Sequence, residues 1–152
     1  MDGIMIIFSF LLGASIGSFL NALEWRLMHD RGIWKSANGT LARSQCPQCG
    51  AILRAWELVP LFSFLYLRGK CSTCERPIAW QYPMVEVSLG ILFALIIWRF
   101  GVSWESGAIM ILASFLMLIF LTDLKYQLIL YVVTIPAIFI AFLFSLVRGT
   151  SL

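Results

Sequence analysis

Apolar positions along this chain come in long runs without alternation. No Lys, Arg, Asp or Glu interrupts Gly3–Leu23, Ser106–Thr122 or Tyr126–Val147, which are 21, 17 and 22 residues long. A helix that crosses a bilayer needs roughly 20 such residues, and about 17 suffice. A fourth run, Trp80–Trp98, is broken only by Glu86. The pattern predicts helices over these four stretches, with a polar segment Glu24–Ala79, a link Arg99–Glu105 and a turn Asp123–Lys125 between them. Within lipid only helices and closed barrels satisfy every backbone polar group, and unalternating runs are not barrel strands. The expected fold class is therefore an all-α integral membrane protein: residues 1–23 form transmembrane helix 1, 24–79 a large loop, and 80–152 transmembrane helices 2–4.

Composition agrees with that pattern. The chain is 61% hydrophobic and 12% charged, against about 45–50% and about 25% in soluble domains. This excludes a soluble globule, a disordered tail, and a collagen-like or disulfide-stapled secreted fold. A signal peptide has a shorter apolar core behind a basic start, ahead of a small-residue cleavage site. Here the first run follows Asp2 and enters Glu24-Trp25-Arg26 without such a site, so a retained helix is expected.

Charge orients the helices. The segment Glu24–Ala79 holds eight cations (Arg26, Arg31, Lys35, Arg43, Arg54, Arg68, Lys70, Arg76) and four anions (Glu24, Asp30, Glu57, Glu75). By the positive-inside rule the large loop is cytoplasmic and Met1 faces out. Asp123 and Lys125 then return to the cytoplasmic face, and Arg148 lies outside. The excess of positive charge is thinly spread and already explained by topology, so nucleic acid is not an expected partner.

Within the loop, Cys46-Pro47-Gln48-Cys49-Gly50 and Cys71-Ser72-Thr73-Cys74 form two C-x-x-C pairs separated by 21 residues. Two residues between cysteines let both sulfurs of a tight turn face one ion, and two such pairs complete a tetrahedral zinc set. With four protein ligands the ion has no open position and organises the loop without catalysing. The alternatives are thiol redox chemistry, which a single pair would also allow, and an unmetallated loop. Cytoplasmic thiols stay reduced, so a disulfide framework is not expected.

Two ionisable groups fall at membrane depth, where such groups need a functional or pairing reason. Glu86 is close enough to the interface to snorkel or to pair with a loop cation, and Asp123 ends a helix beside Lys125. His29, the only histidine, reads as a solvated surface residue. Gly13-Ala14-Ser15-Ile16-Gly17-Ser18 contains G-x-x-x-G, which favours close helix packing, expected within the chain rather than across a dimer.

Taken in order, several blocks resemble the type IV prepilin leader peptidase/N-methyltransferase family. They are Gly17-Ser18-Phe19-Leu20-Asn21, the Cys46/Cys49 pair, Val59-Pro60-Leu61-Phe62-Ser63-Phe64-Leu65, Leu67-Arg68-Gly69-Lys70-Cys71, Tyr82-Pro83-Met84-Val85-Glu86, Thr122-Asp123-Leu124-Lys125 and Thr134-Ile135-Pro136. The resemblance implies a membrane-embedded aspartic peptidase of the bacterial inner membrane, with Asp123 as the first catalytic aspartate. It implies cleavage of type IV prepilins, or type II secretion pseudopilins, after a Gly, and N-methylation of the new terminus from S-adenosylmethionine. It points to Gly69 and Lys70 for that cofactor. The family's second aspartate, in G-x-G-D, does not occur in these 152 residues, and Leu130-Tyr131 and Gln81 replace a Pro-Asp and an Arg. The resemblance therefore covers the amino-terminal part of the pattern, and an aspartic pair needs a separately supplied carboxyl-terminal half. Glu86 as a substitute acid, a non-catalytic relative that binds partners through the zinc-stapled loop, and an unrelated four-helix zinc or thiol protein are the competing readings.

Overall fold

The computed structural model describes residues 3–29, 43–127 and 130–149, with the side chains of Arg148 and Gly149 left aside. Of the loop charges, Asp30, Arg31 and Lys35 lie outside the described residues. The described chain is helical: α1 (Gly3–Met28), a short 3-10 turn (Ala55–Leu58), α2 (Phe62–Tyr66), α3 (Gln81–Phe100), α4 (Trp104–Tyr126) and α5 (Tyr131–Gly149). Helices α1, α3 and α4 are long and apolar enough to cross a membrane, whereas the apolar part of α5, Tyr131–Val147, is shorter. Many large side chains, such as Ile4, Phe8, Leu116 and Phe139, point away from the protein interior. A water-soluble monomer rarely exposes so much contiguous apolar surface, and lipid is the solvent that suits it. The chain is a multi-pass membrane protein.

Boundaries depart from the apolar runs where polar groups find partners. Helix α1 continues past Leu23 to Met28 because Glu24, read from sequence as the first loop residue, is 1% exposed. Its carboxylate meets Lys125 Nζ at 3.3 Å and 3.4 Å. Lys125 in turn belongs to α4 and not to a turn, since α4 runs through Asp123–Lys125 to Tyr126 and closes at Gln127 in the left-handed conformation. At the other end Ser103 caps α4, its hydroxyl accepting from the Ser106 N–H at 3.2 Å, so the helix starts at Trp104 ahead of the run. These shifts shorten the last span from a predicted start at Tyr126 to Tyr131; Leu128 and Ile129 lie outside the described residues.

The core draws on all four long helices: Leu20 from α1, Leu89, Phe93 and Ile96 from α3, Leu118 from α4 and Val133 from α5. The closest approach is between α1 and α3. A Cβ added to Gly13 would stand 2.5 Å from the Leu89 carbonyl oxygen and 2.9 Å from the Gly90 Cα, while one on Gly17 would stand 3.0 Å from the Glu86 Cα. The G-x-x-x-G of α1 is thus used for packing within the chain, against backbone that cannot rotate aside. Gly13→Ala is expected to destabilise the bundle by about 1–3 kcal/mol, read as a lower unfolding temperature in detergent. An unchanged temperature would mean that the two backbones are not in contact there.

Candidate functional site

The two C-x-x-C pairs fold into two copies of one turn, offset by 25 residues. In the first, Cys46 N–H donates to the Ala51 carbonyl, Gly50 N–H donates to the Cys46 carbonyl, and Gln45 bridges to Ile52. In the second, Cys71 N–H donates to the Arg76 carbonyl, Glu75 N–H donates to the Cys71 carbonyl, and Lys70 bridges to Pro77. Equivalent residues Gly50 and Glu75 both take the left-handed conformation, with φ of 72° and 57°. That conformation costs a non-glycine residue roughly 1–2 kcal/mol, partly offset by the larger unfolded-state entropy of glycine. Glu75→Gly should therefore tighten the second knuckle by up to about 1 kcal/mol, seen as slower metal loss to a chelator. Faster loss would show that the Glu75 side chain supports the turn.

The four sulfurs of Cys46, Cys49, Cys71 and Cys74 lie within 4.8 Å of one another. A tetrahedral zinc with bonds of about 2.3 Å requires sulfurs roughly 3.8 Å apart, so the thiols need only small rotations to close on an ion. Backbone N–H groups of Cys74 and Thr73 point at the Cys71 sulfur and lower that thiol to about 7. At Cys49 the Ala51 N–H also favours the thiolate, but desolvation and the adjoining Cys46 and Cys74 thiols outweigh it and push that group up to about 11. Four crowded thiols cannot all ionise without a cation among them, and a divalent ion supplies it. The residues fit a structural metal site that staples residues 45–52 to residues 70–77.

The loop is bound to the helices by a buried carboxylate. Glu86, 6% exposed, accepts from the Leu61 N–H at 2.8 Å, with Ser18 of α1 beside it. It neither snorkels nor pairs with a described cation, because this backbone donor satisfies it inside. Leu61 has φ 61° and ψ −45°, and the Phe62 N–H donates to the Pro60 carbonyl at 2.6 Å. This γ-turn with positive φ is a strained conformation, stabilised by the capture of its central N–H. Asn21 of α1 completes the attachment: its side chain donates to the Tyr82 carbonyl at 3.3 Å and accepts from Gln81 Nε2 at 3.4 Å. Three sequence blocks, Gly17–Asn21, Val59–Leu65 and Tyr82–Glu86, thereby meet in one place.

Under this junction lies a cavity of about 730 Å³, bounded by Trp25 and Arg26 of α1, Glu57 and Ser72 of the loop, Tyr82 of α3 and Tyr126 of α4. Glu57 was not singled out by its sequence context beyond being a loop charge. It is 8% exposed, and its Oε2 accepts from the Arg54 N–H across the 3-10 turn. The Ser72 hydroxyl, followed by that Arg54 N–H, holds its carboxyl below the usual range. A Glu three residues past a helix start was the available signal, weak here because Arg54 occupies the cap. His29 also borders the cavity, stacked on the Trp25 ring at 4.8 Å.

Other expected site residues sit apart from this cavity. Asp123 is exposed near the end of α4. Gly69, with φ 71°, and Lys70 lead into the second knuckle; the Gly69 N–H donates to the Phe64 carbonyl and a Cβ there would meet the Phe64 ring at 3.2 Å. Neither borders the cavity. Their positions follow from the turn's backbone, and among the described residues no pocket for S-adenosylmethionine is built on them.

Comparison with known proteins follows this geometry. The chain is 35% identical over 153 residues to the prepilin leader peptidase/N-methyltransferase of Pseudomonas aeruginosa, covering 89% of this chain and 52% of that protein. Proteins of the same name match from Stutzerimonas stutzeri at 38%, over 81% of this chain and 48% of the relative, and from Neisseria gonorrhoeae at 34%, over 91% and 54%. The chain thus spans about half the length of the curated relatives it matches. An alignment over 89% of the chain necessarily contains every residue from Cys46 to Asp123. No solved structure matches. A family model, the bacterial peptidase A24 N-terminal domain, matches residues 11–100, which hold the packed α1–α3 pair, the four cysteines and the Glu86 junction, and the chain belongs to that family.

Proposed function

We propose that this chain supplies the amino-terminal half of a prepilin leader peptidase/N-methyltransferase, working at the inner membrane with its four-cysteine loop in the cytoplasm. The match of residues 11–100 to the bacterial peptidase A24 N-terminal domain supports the reading, and the alignment with the Pseudomonas aeruginosa relative, over 89% of this chain, extends that support to the segment that holds Asp123. Asp123 is one carboxyl of an aspartic pair, and the second comes from a segment outside these 152 residues. Two carboxyls held together cannot both ionise; one remains protonated as the acid while the other activates water. Asp123 has the exposure such pairing needs, since its side chain is open for a partner helix to cover. Glu86 is a poor substitute, being buried and committed to the Leu61 N–H.

The substrate is a prepilin or pseudopilin whose basic leader lies in the cytoplasm and is cut after Gly. Zinc on Cys46, Cys49, Cys71 and Cys74 gives the loop its shape and takes no part in bond breaking, because no coordination position is left open. S-adenosylmethionine supplies the methyl group for the new terminus in the second half of the reaction, a role that rests on the relatives' shared name. The test is co-expression with the carboxyl-terminal half of a relative, followed by prepilin cleavage in membranes. Cleavage only when both halves are present supports the reading. Efficient cleavage by this chain alone would show that another acid, Glu86 first, completes the pair. Failure with every partner half would favour a non-catalytic module that binds through the zinc-stapled loop.

A further inference from the structure

Residues 58–67 of the loop form a run of ten without a charge. A run of that length is too short to cross a bilayer and suits either a buried core helix or a segment lying in the membrane interface. Exposure excludes the core. Phe62, Leu65 and Tyr66 of α2 are 58%, 74% and 68% exposed, and at positions i, i+3 and i+4 they share one side of the helix. Ser63 and Phe64 between them line the cavity. An amphipathic helix on a water-facing loop does the reverse and turns its large apolar side chains inward.

Depth follows from Glu86. Helix α3 has 20 residues, roughly 30 Å of rise, which matches the roughly 30 Å hydrocarbon core, so its first turn stands at one edge of that core. Glu86 lies five residues beyond Gln81, and its carboxylate holds the Leu61 N–H at 2.8 Å. The turn that opens α2 is therefore held level with the first turns of the span. The apolar surface continues onto α3, where Trp80 meets the Phe64 ring at 5.2 Å between centroids and both Trp80 and Met84 are exposed. Trp56, Phe62 and Tyr66 form a second aromatic cluster, and aromatic rings gather where a membrane meets water. Arg54 and Arg68 bracket the segment and are exposed, a placement that complements anionic headgroups.

We infer that residues 54–68 are an interfacial anchor: the outer side of α2 lies among the upper acyl chains of the leaflet on the loop's side, with Arg54 and Arg68 among anionic headgroups. The zinc-stapled loop is thereby tied to the bilayer between the ends of α1 and α3. Exposure, depth and charge carry this whether or not the chain works as half of a peptidase.

The experiment places the zinc-loaded full chain in vesicles containing equal amounts of phosphatidylcholine and phosphatidylglycerol. A trace of one of these lipids carries a photoactivatable group in its upper acyl chain, and labelled residues are mapped by mass spectrometry. Lipid adducts should form on Phe62, Leu65 and Tyr66 as readily as on Met84, the internal standard on the span. The phosphatidylglycerol probe should label α2 about twofold more than the phosphatidylcholine probe. Arg54→Gln combined with Arg68→Gln should bring the two probes to parity with zinc content unchanged. Adducts on Met84 but not on α2 would mean that water or protein covers the segment, and would overturn the inference. Equal labelling by the two probes on the unaltered chain, or a preference that survives in the zinc-replete double variant, would overturn it too. Should the double variant lose its zinc, the labelling of the unaltered chain decides alone. No turnover is measured, so the result is separate from the fate of the peptidase reading.

Discussion

Asp123→Asn is expected to reduce prepilin cleavage by several powers of ten in membranes that contain this chain and a carboxyl-terminal half from a relative. The substitution keeps the shape of the side chain and removes the titrating group on which an aspartic pair depends. Losing one member of a catalytic set that acts as a unit costs nearly as much as losing the whole set. Asp123 is exposed on α4, and exposed substitutions away from special features usually change stability by less than about 0.5 kcal/mol. Zinc content and unfolding temperature should therefore stay as they are while cleavage disappears. Cleavage that persists in Asp123→Asn would remove this residue from the mechanism, whatever the relatives do.

The second large effect concerns the metal. Purified chain should carry about one zinc, and Cys49→Ser or Cys71→Ser should lose it and open the loop to protease, because in small zinc domains about 10–16 kcal/mol of metal binding is also folding free energy. Beyond its knuckles, the loop's described regular structure consists of the 3-10 turn Ala55–Leu58 and the five-residue α2. Little else resists unfolding when the staple goes. Cys71 is the more damaging site, since it is buried and its sulfur receives two backbone N–H groups, whereas Cys49 is exposed. Full metal in both variants would exclude a four-cysteine site.

Several features were legible in the sequence because they are local. Unbroken apolar runs announced the long helices, and a C-x-x-C pair is a turn whose two sulfurs converge whatever surrounds it. The G-x-x-x-G of α1 pointed correctly to close packing within the chain, although nothing nearby in the sequence named Leu89 and Gly90 as the partner surface. The misread residues are those settled by distant partners. Glu24 looked like the first charge of a loop, and only Lys125, 101 positions away, makes it the buried anchor of a longer helix. Glu86 looked like a residue seeking water or a cation, and a strained backbone turn 25 positions earlier satisfies it instead. Glu57 is an ordinary loop acid until Arg54 and Ser72 enclose it.

The ion pair between Glu24 and Lys125 also fixes a rotational register. From Ser106 to Thr122, α4 carries no charge, so a helix apolar on every side has no preferred face and could turn about its axis at little cost. Lys125, bound to α1, acts as an index mark on that axis. Each residue advances the helix by roughly 100°, so Asp123, two positions earlier, points roughly 160° away from the direction of Lys125, consistent with its exposed side chain. Whatever meets Asp123 must approach from the side of α4 turned away from α1, and can do so without disturbing the glycine contact between α1 and α3.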